Sequence, residues 1–188
     1  MTRISIVEAV EAKHVAQVGA LLRDYLLWMR RRYGDHAKII DAYFDRSEWE
    51  SELADLPAHY GRPYGALLLA RIGDMPVGCV LLRGIGEDVG EMKRLFVRPA
   101  FQNMGIACAL VARLSELGLA RGYKTLKLET GPLHTEAQTL YRNLGFQPAA
   151  PYREMADWLA DSMLFFKADT RQLAHNSARD CRHAALAA

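Results

Sequence analysis

The chain has 188 residues, 51% of them hydrophobic and 24% charged, the balance of a folded domain with a packed core. That composition excludes intrinsic disorder and low-complexity architecture for most of its length. With 24 basic against 22 acidic residues the net charge is +2, too small for bulk electrostatics to draw the chain to nucleic acid or a membrane surface.

Ile4 to Val10 reads as a short strand. His14 to Arg32 carries Val15, Val18, Leu22, Tyr25, Leu26 and Met29 at helical spacing, and its basic end, Arg30-Arg31-Arg32, suits the helix dipole. Asp45 to Leu56 is a second, acidic helical stretch closed by Pro57. Ala66 to Ile72 and Val77 to Arg83 are apolar runs around Gly73-Asp74, a hairpin signal. The turn Gly84 to Gly90 leads into a strand from Glu91 to Val97 that Pro99 ends. Gln102 to Arg121 is an amphipathic helix, and Thr125 to Thr130 an alternating strand. Thr135 to Leu144 is a helix with a Thr135/Gln138 capping-box pair and Gly145 as its C′ residue. A last strand runs from Ser162 to Lys167. This order predicts an α/β domain whose mixed, mostly antiparallel sheet is flanked by helices, with one parallel strand-helix-strand crossover. Residues 1–167 form that domain. Residues 168–188 hold seven alanines and no aromatic residue and read as a flexible C-terminal tail.

The segment that carries chemistry runs from Glu91 to Ala107. It is a strand, a short turn and a helix opening at a glycine-containing loop, which presents unpaired N–H groups at the positive end of a helix dipole. Such a loop suits a pyrophosphate. Gly105 permits close backbone approach, and Gln102 and Asn103 add polar donors. Charge is concentrated there too: residues 93–124 hold six basic residues and one acidic.

The loop Gln102-Asn103-Met104-Gly105-Ile106-Ala107 resembles motif A of the GCN5-related N-acetyltransferase (GNAT) family, and Met92 to Pro99 resembles that family's fourth strand. Leu133 to Phe146, ending Leu-Tyr-Arg-Asn-Leu-Gly-Phe, is similar to its motif B. The resemblance covers residues 4–167. Ala107 replaces the second loop glycine, and His134 stands where the family often has Asn. The resemblance implies acetyl transfer from acetyl-CoA to an amine, without a metal. It places the pantetheine arm beside Leu95, Phe96 and Val97, with the Val97 N–H on the thioester carbonyl, and the pyrophosphate at residues 102–107. Tyr141 takes the acid position, giving a proton to the departing thiolate. Glu91 is the preferred base, with Glu129 the alternative.

Tyr25 and Trp28, with Tyr43, Phe44 and Trp49, belong to the acceptor wall that the resemblance implies. That wall spans residues 35–61, which carry seven acidic residues and two basic, so a cationic amine is the expected acceptor, whether a small molecule or a peptide. A non-catalytic acyl-CoA-binding module, used for sensing or assembly, is the alternative reading. A homodimer stays open as the assembly.

Other signals point to no further chemistry. Gly84-Ile85-Gly86 opens a hairpin turn, since a strand follows where a dinucleotide loop needs a helix. The six histidines lack metal-ligand spacing with cysteine. Cys79, Cys108 and Cys181 are too scattered for a disulfide framework. The first two read as packing residues, and a reducing cytoplasm is expected. No apolar run reaches a membrane-spanning length, and no basic-then-apolar leader is present.

Overall fold

The computed structural model describes residues 4–177; residues 1–3 and 178–188 lie outside them. Strand β1 (Ile4–Glu8) is followed by the long helix α1 (Ala12–Tyr33) and three short helices, α2 (Ala37–Tyr43), α3 (Arg46–Ala54) and α4 (Leu56–Tyr60). The meander β2 (Ala66–Ile72), β3 (Met75–Gly84) and β4 (Val89–Val97) comes next, then α5 (Ile106–Ala120) and β5 (Thr125–Thr130). Helix α6 (Thr135–Leu144), the two-residue β6 (Gln147–Pro148), α7 (Asp157–Ala160) and β7 (Leu164–Asp169) complete the labelled elements.

The seven strands form one sheet in the order β1-β2-β3-β4-β5-β7-β6. All neighbours are antiparallel except β4 and β5, which α5 connects as a parallel crossover. The predicted α/β class and mixed sheet are therefore present. Strands β2 and β3 are central because their apolar runs are buried on both faces. One core cluster packs Leu68, Val80, Leu82 and Met92 against Ile106, Leu110, Leu114 and Tyr141 of α5 and α6. On the opposite face Leu67, Leu69, Leu81 and Phe96 meet Val18, Leu21 and Leu22 of α1 and Ile40 of α2.

Several local expectations change. Helices α2, α4 and α7 and strand β6 are too short to show a period in sequence. The Thr135/Gln138 capping box does not form: the N-cap is His134, without a side-chain cap bond, and Gln138 Nε2 donates to the carbonyls of Gly131 and Pro132, both at 3.1 Å. Gly145 does close α6, with φ 101°. The predicted boundary at residue 167 falls inside β7, and residues 170–177 are helical. Leu173 is 1% exposed in the α5-side core, and Thr170 lies against Gly118 of α5. The described start of the tail is thus packed structure, while residues 178–188 of that tail lie outside the described residues. Cys79 is buried and free, and burial pushes its thiol up to about 12. Cys108 packs in the α5-side core as expected and, against expectation, also takes part in a disulfide.

Candidate active site

The site starts from a defect in the sheet. Strands β4 and β5 pair only from Val89↔Thr125 to Glu91↔Lys127, although β4 continues to Val97 and β5 to Thr130. The β3–β4 register also slips by one residue between Cys79 and Leu81. Arg94 has φ 58° there, a left-handed conformation uncommon for a non-glycine residue. A bulge of this kind bends its strand, and here β4 diverges from β5. Beyond the bulge Arg98 N–H donates to Val77 O at 2.9 Å, so antiparallel alternation turns the Val97 N–H away from β3. That N–H faces the gap, where no strand pairs with it.

A cavity of about 850 Å³ occupies the gap, a size usual for small-ligand sites. It reaches both faces of the sheet: Tyr25, Trp28 and Tyr43 line it from α1 and α2, and Ala137, Leu140 and Tyr141 from α6.

At the α5 end the backbone forms an anion cradle. Gly105 is the N-cap at φ 74° and offers no side chain. Asn103 is also left-handed, at φ 62°, and such turns orient successive N–H groups into a concave nest. The first bond inside the helix runs from Ala109 N–H to Gly105 O, so the N–H groups of Ile106 and Ala107 have no partner within it. Gln102, Asn103, Gly105, Ile106 and Ala107 line the cavity, whereas Met104 does not and is 43% exposed. The Gln102 side chain donates to Val97 O at 3.1 Å and so ties the loop to β4.

Tyr141 is 6% exposed and lines the cavity. Phe146 and Phe166 hold its ring, with centroids 5.7 and 6.1 Å away. Burial, with a smaller contribution from Tyr25, raises its phenol above the ordinary value. It therefore stays a proton donor at neutral pH. Tyr25 packs 5.5 Å from Phe96, and burial pushes its phenol up to about 12. His134 stacks on Trp28 at 5.5 Å and approaches Thr130 Oγ1 with Nδ1 at 3.4 Å. Burial, and then the Arg32 charge, push its imidazole down to about 4.

Charged side chains fill the other end. Lys93 of β4 reaches across the gap to Glu129 of β5, at 3.1 Å. Glu129 also accepts from the Tyr43 hydroxyl at 2.8 Å and from Arg153 Nε at 2.8 and 3.0 Å. Against the cost of burial, Lys93 and Arg153 hold the Glu129 carboxyl below its ordinary range. Arg94 turns away to Glu52, making bonds of 3.1 and 2.8 Å. The rings of Tyr43, Phe44 and Trp49 surround its guanidinium at 5.5, 4.7 and 5.0 Å.

Leu95, Phe96, Val97, Tyr25, Trp28, Glu129 and Tyr141 all line the one cavity, as do the loop residues except Met104. Glu91 does not line it. It lies where β4 is still paired with β5, fully buried, bonded to Arg83 at 2.6 Å and accepting from Tyr152 at 2.9 Å. The acidic acceptor wall is likewise absent, because no carboxylate of residues 35–61 lines the cavity. Asp45 and Asp55 cap helices, Glu52 holds Arg94, and Phe44 and Trp49 enclose that arginine. Sequence reasoning missed Lys93 and Arg94 as cavity residues and Arg153 as the partner of Glu129. The only sequence signal was the basic start of residues 93–124, which pointed to an anion without locating it.

The model of the acetyltransferase (GNAT) family matches residues 23–146. An uncharacterised N-acetyltransferase of Schizosaccharomyces pombe is 33% identical over 105 residues, covering 55% of this chain and 64% of that protein. The chain spans 43% to 64% of the length of such curated relatives. Among solved structures, an acetyltransferase from Streptococcus agalactiae superposes with a TM-score of 0.68 at 17% identity, covering 90% of this chain and 99% of that one. PaiA N-acetyltransferase from Thermoplasma acidophilum, in complex with coenzyme A, has a TM-score of 0.65 at 13% identity, with 89% and 99% covered.

Proposed function

We propose that this chain, which belongs to the acetyltransferase (GNAT) family, is an acetyl-CoA-dependent N-acetyltransferase acting on an amine. The observation that carries the reading is the cavity that passes between β4 and β5. It lets a donor held at the α5 cradle and an acceptor entering from the α1–α2 face meet.

The chain's own residues fit acetyl-CoA. The left-handed Gly105 and the N–H groups of Ile106 and Ala107 suit a pyrophosphate, and the unpaired edge of β4 suits an amide-bearing arm. When bound, acetyl-CoA supplies an activated acetyl group: an amide C–N bond forms as the C–S bond breaks, nitrogen loses one proton and sulfur gains one. The Val97 N–H is placed to stabilise a developing oxyanion. Tyr141, protonated at neutral pH as a phenol, supplies the proton for sulfur; burial makes it a weaker acid, so it gives up the proton only to the charge developing on the departing sulfur. Neither glutamate suits the base role. Glu91 is outside the cavity, and Glu129 is held by three donors. The net positive lining instead favours the neutral form of the acceptor nitrogen, whose proton leaves to water.

Tyr141→Phe tests the assignment. Thiol release from acetyl-CoA over an amine panel should fall by about 10² or more, with acetyl-CoA affinity by calorimetry little changed. An unchanged rate would remove Tyr141 from the chemistry. Coenzyme A binding with no turnover on any amine would favour a sensing or assembly module.

A further inference from the structure

The acceptor end of the cavity has more positive than negative charge. Four cations, Arg83, Lys93, Arg94 and Arg153, and three carboxylates, Glu52, Glu91 and Glu129, form one linked cluster around it, of which Lys93, Arg94 and Glu129 line the cavity. Arg94 pairs with Glu52 alone, whereas Glu91 faces both Arg83, at 2.6 Å, and Lys93, at 3.7 Å. Glu129 is shared as well, between Lys93 and Arg153, and also accepts from Tyr43, so three carboxylates face four cations. Lys93 and Arg94 are buried, whereas Arg83 and Arg153 keep 36% and 32% of their side chains exposed; an unmatched charge beside buried cations is costly unless a counter-charge joins it.

The unmatched charge coincides with unused donors. Lys93, whose side chain is 6% exposed, lines the cavity. It has three N–H donors but makes one hydrogen bond within the described residues, to Glu129. Arg153 spends only Nε on Glu129, leaving both terminal nitrogens without a hydrogen bond among the described residues. Its guanidinium packs 5.3 Å from the ring of Tyr43, a cavity-lining residue. Arg94, with 8% of its side chain exposed, keeps a buried Nη1 with no partner there. Burial, followed by the Arg94 charge, pushes the Lys93 ammonium down, as expected of a cation short of counter-charge.

We infer that the acceptor carries a carboxylate beside its amine, as an amino acid does, and that Lys93 and Arg153 receive that carboxylate next to Tyr43. The inference rests on the acetyl-transfer reading for the amine and on the charge geometry for the carboxylate. It also predicts that a polycationic acceptor is disfavoured: the carboxylates around the site already hold arginine or lysine, and the surplus charge would repel a second ammonium. A carboxylate on the acyl group would satisfy the same cations. The acceptor is preferred because Lys93 and Tyr43 line the cavity at the end away from the α5 cradle, and Arg153 borders that end beside Tyr43.

The test uses the full chain and a matched set of amines: an α-amino acid, its carboxamide and its decarboxylated amine, over several side chains. Thiol release from acetyl-CoA and binding to the coenzyme A-loaded protein by calorimetry are both measured. For the preferred side chain, the amino acid should exceed its carboxamide and amine at least tenfold in kcat/KM. Arg153→Gln should raise KM for the amino acid at least tenfold more than it raises KM for the carboxamide, with kcat changed little. Arg153→Lys should restore much of the preference, and Lys93→Met should erase it. Equal or better turnover of carboxamides and amines overturns the inference while acetyl transfer stands. Amino acids that bind in an Arg153-dependent way without turnover support the carboxylate site and overturn acetyl transfer. Amino acids that bind no better than their carboxamides overturn the site. Turnover of succinyl-CoA with a neutral amine, faster than of acetyl-CoA with any amino acid, assigns the cations to the acyl group and overturns the inference.

Discussion

His134 shows how one residue links the site to stability. Burial and then Arg32 push its imidazole down to about 4 in the folded chain, against about 6.5 when unfolded. Between those values the unfolded chain binds a proton that the folded chain does not. Stability is therefore full above about pH 6.5 and declines as the pH falls toward 4. By pH 5 the loss from this one group is about 2 kcal/mol. Urea unfolding of the wild type and His134→Asn at pH 7.5 and 5.0 measures it. The wild type should lose about 2 kcal/mol more than the variant over that interval, whatever the variant's absolute stability. Equal losses would mean that His134 charges as readily in the folded chain as in the unfolded one. Glu52 and Glu129, whose carboxyls are held below their ordinary range, lose their contribution only below about pH 4.5 and leave this window clear.

At the level of elements, the junction of β4 and α5 combines two backbone devices. One is the left-handed turn at Asn103 and Gly105; the other is the bulge at Arg94. Gly105→Val forces a β-branched residue into φ 74° and puts side-chain atoms where the helix presents its N–H groups. Acetyl-CoA affinity by calorimetry should drop at least about tenfold, with the circular dichroism of the folded chain retained. Unaltered affinity would place the pyrophosphate elsewhere. The cradle was legible in sequence because its chemistry lies in backbone geometry set by a short contiguous string. The meander was legible because its apolar runs are interrupted by Gly73-Asp74. The bulge was not, since nothing in Lys93-Arg94-Leu95 announces a left-handed arginine. Its position depends on Glu52 and on three rings from α2, α3 and the turn between them, 42 to 51 residues away in sequence. For the same reason sequence placed Glu91 in the site and did not single out Lys93, two residues on. Both project to the same side of β4, but only Lys93 lies beyond the point where the strands part.

Across the whole molecule, a net charge of +2 conceals a division of labour. The acidic stretch 35–61 caps α3 and α4, forms surface pairs such as Arg30–Asp41 and Arg46–Glu50, and anchors Arg94 through Glu52. It builds a wall without presenting its charge to the cavity. The basic stretch 93–124 is also partly structural, since Arg98 holds Asp24 of α1 and Arg121 holds Glu8 of β1. What it leaves for ligands is Lys93 at one end of the cavity and the α5 cradle at the other. The cavity crossing the sheet between these ends is the feature on which the functional reading depends. A crystal structure of the full chain with coenzyme A tests it most directly. The pyrophosphate should rest on the N–H groups of Ile106 and Ala107, the arm should run along β4, and the thiol should come within hydrogen-bond reach of the Tyr141 hydroxyl. Coenzyme A bound outside the β4–β5 gap, or with its thiol remote from Tyr141, would contradict it.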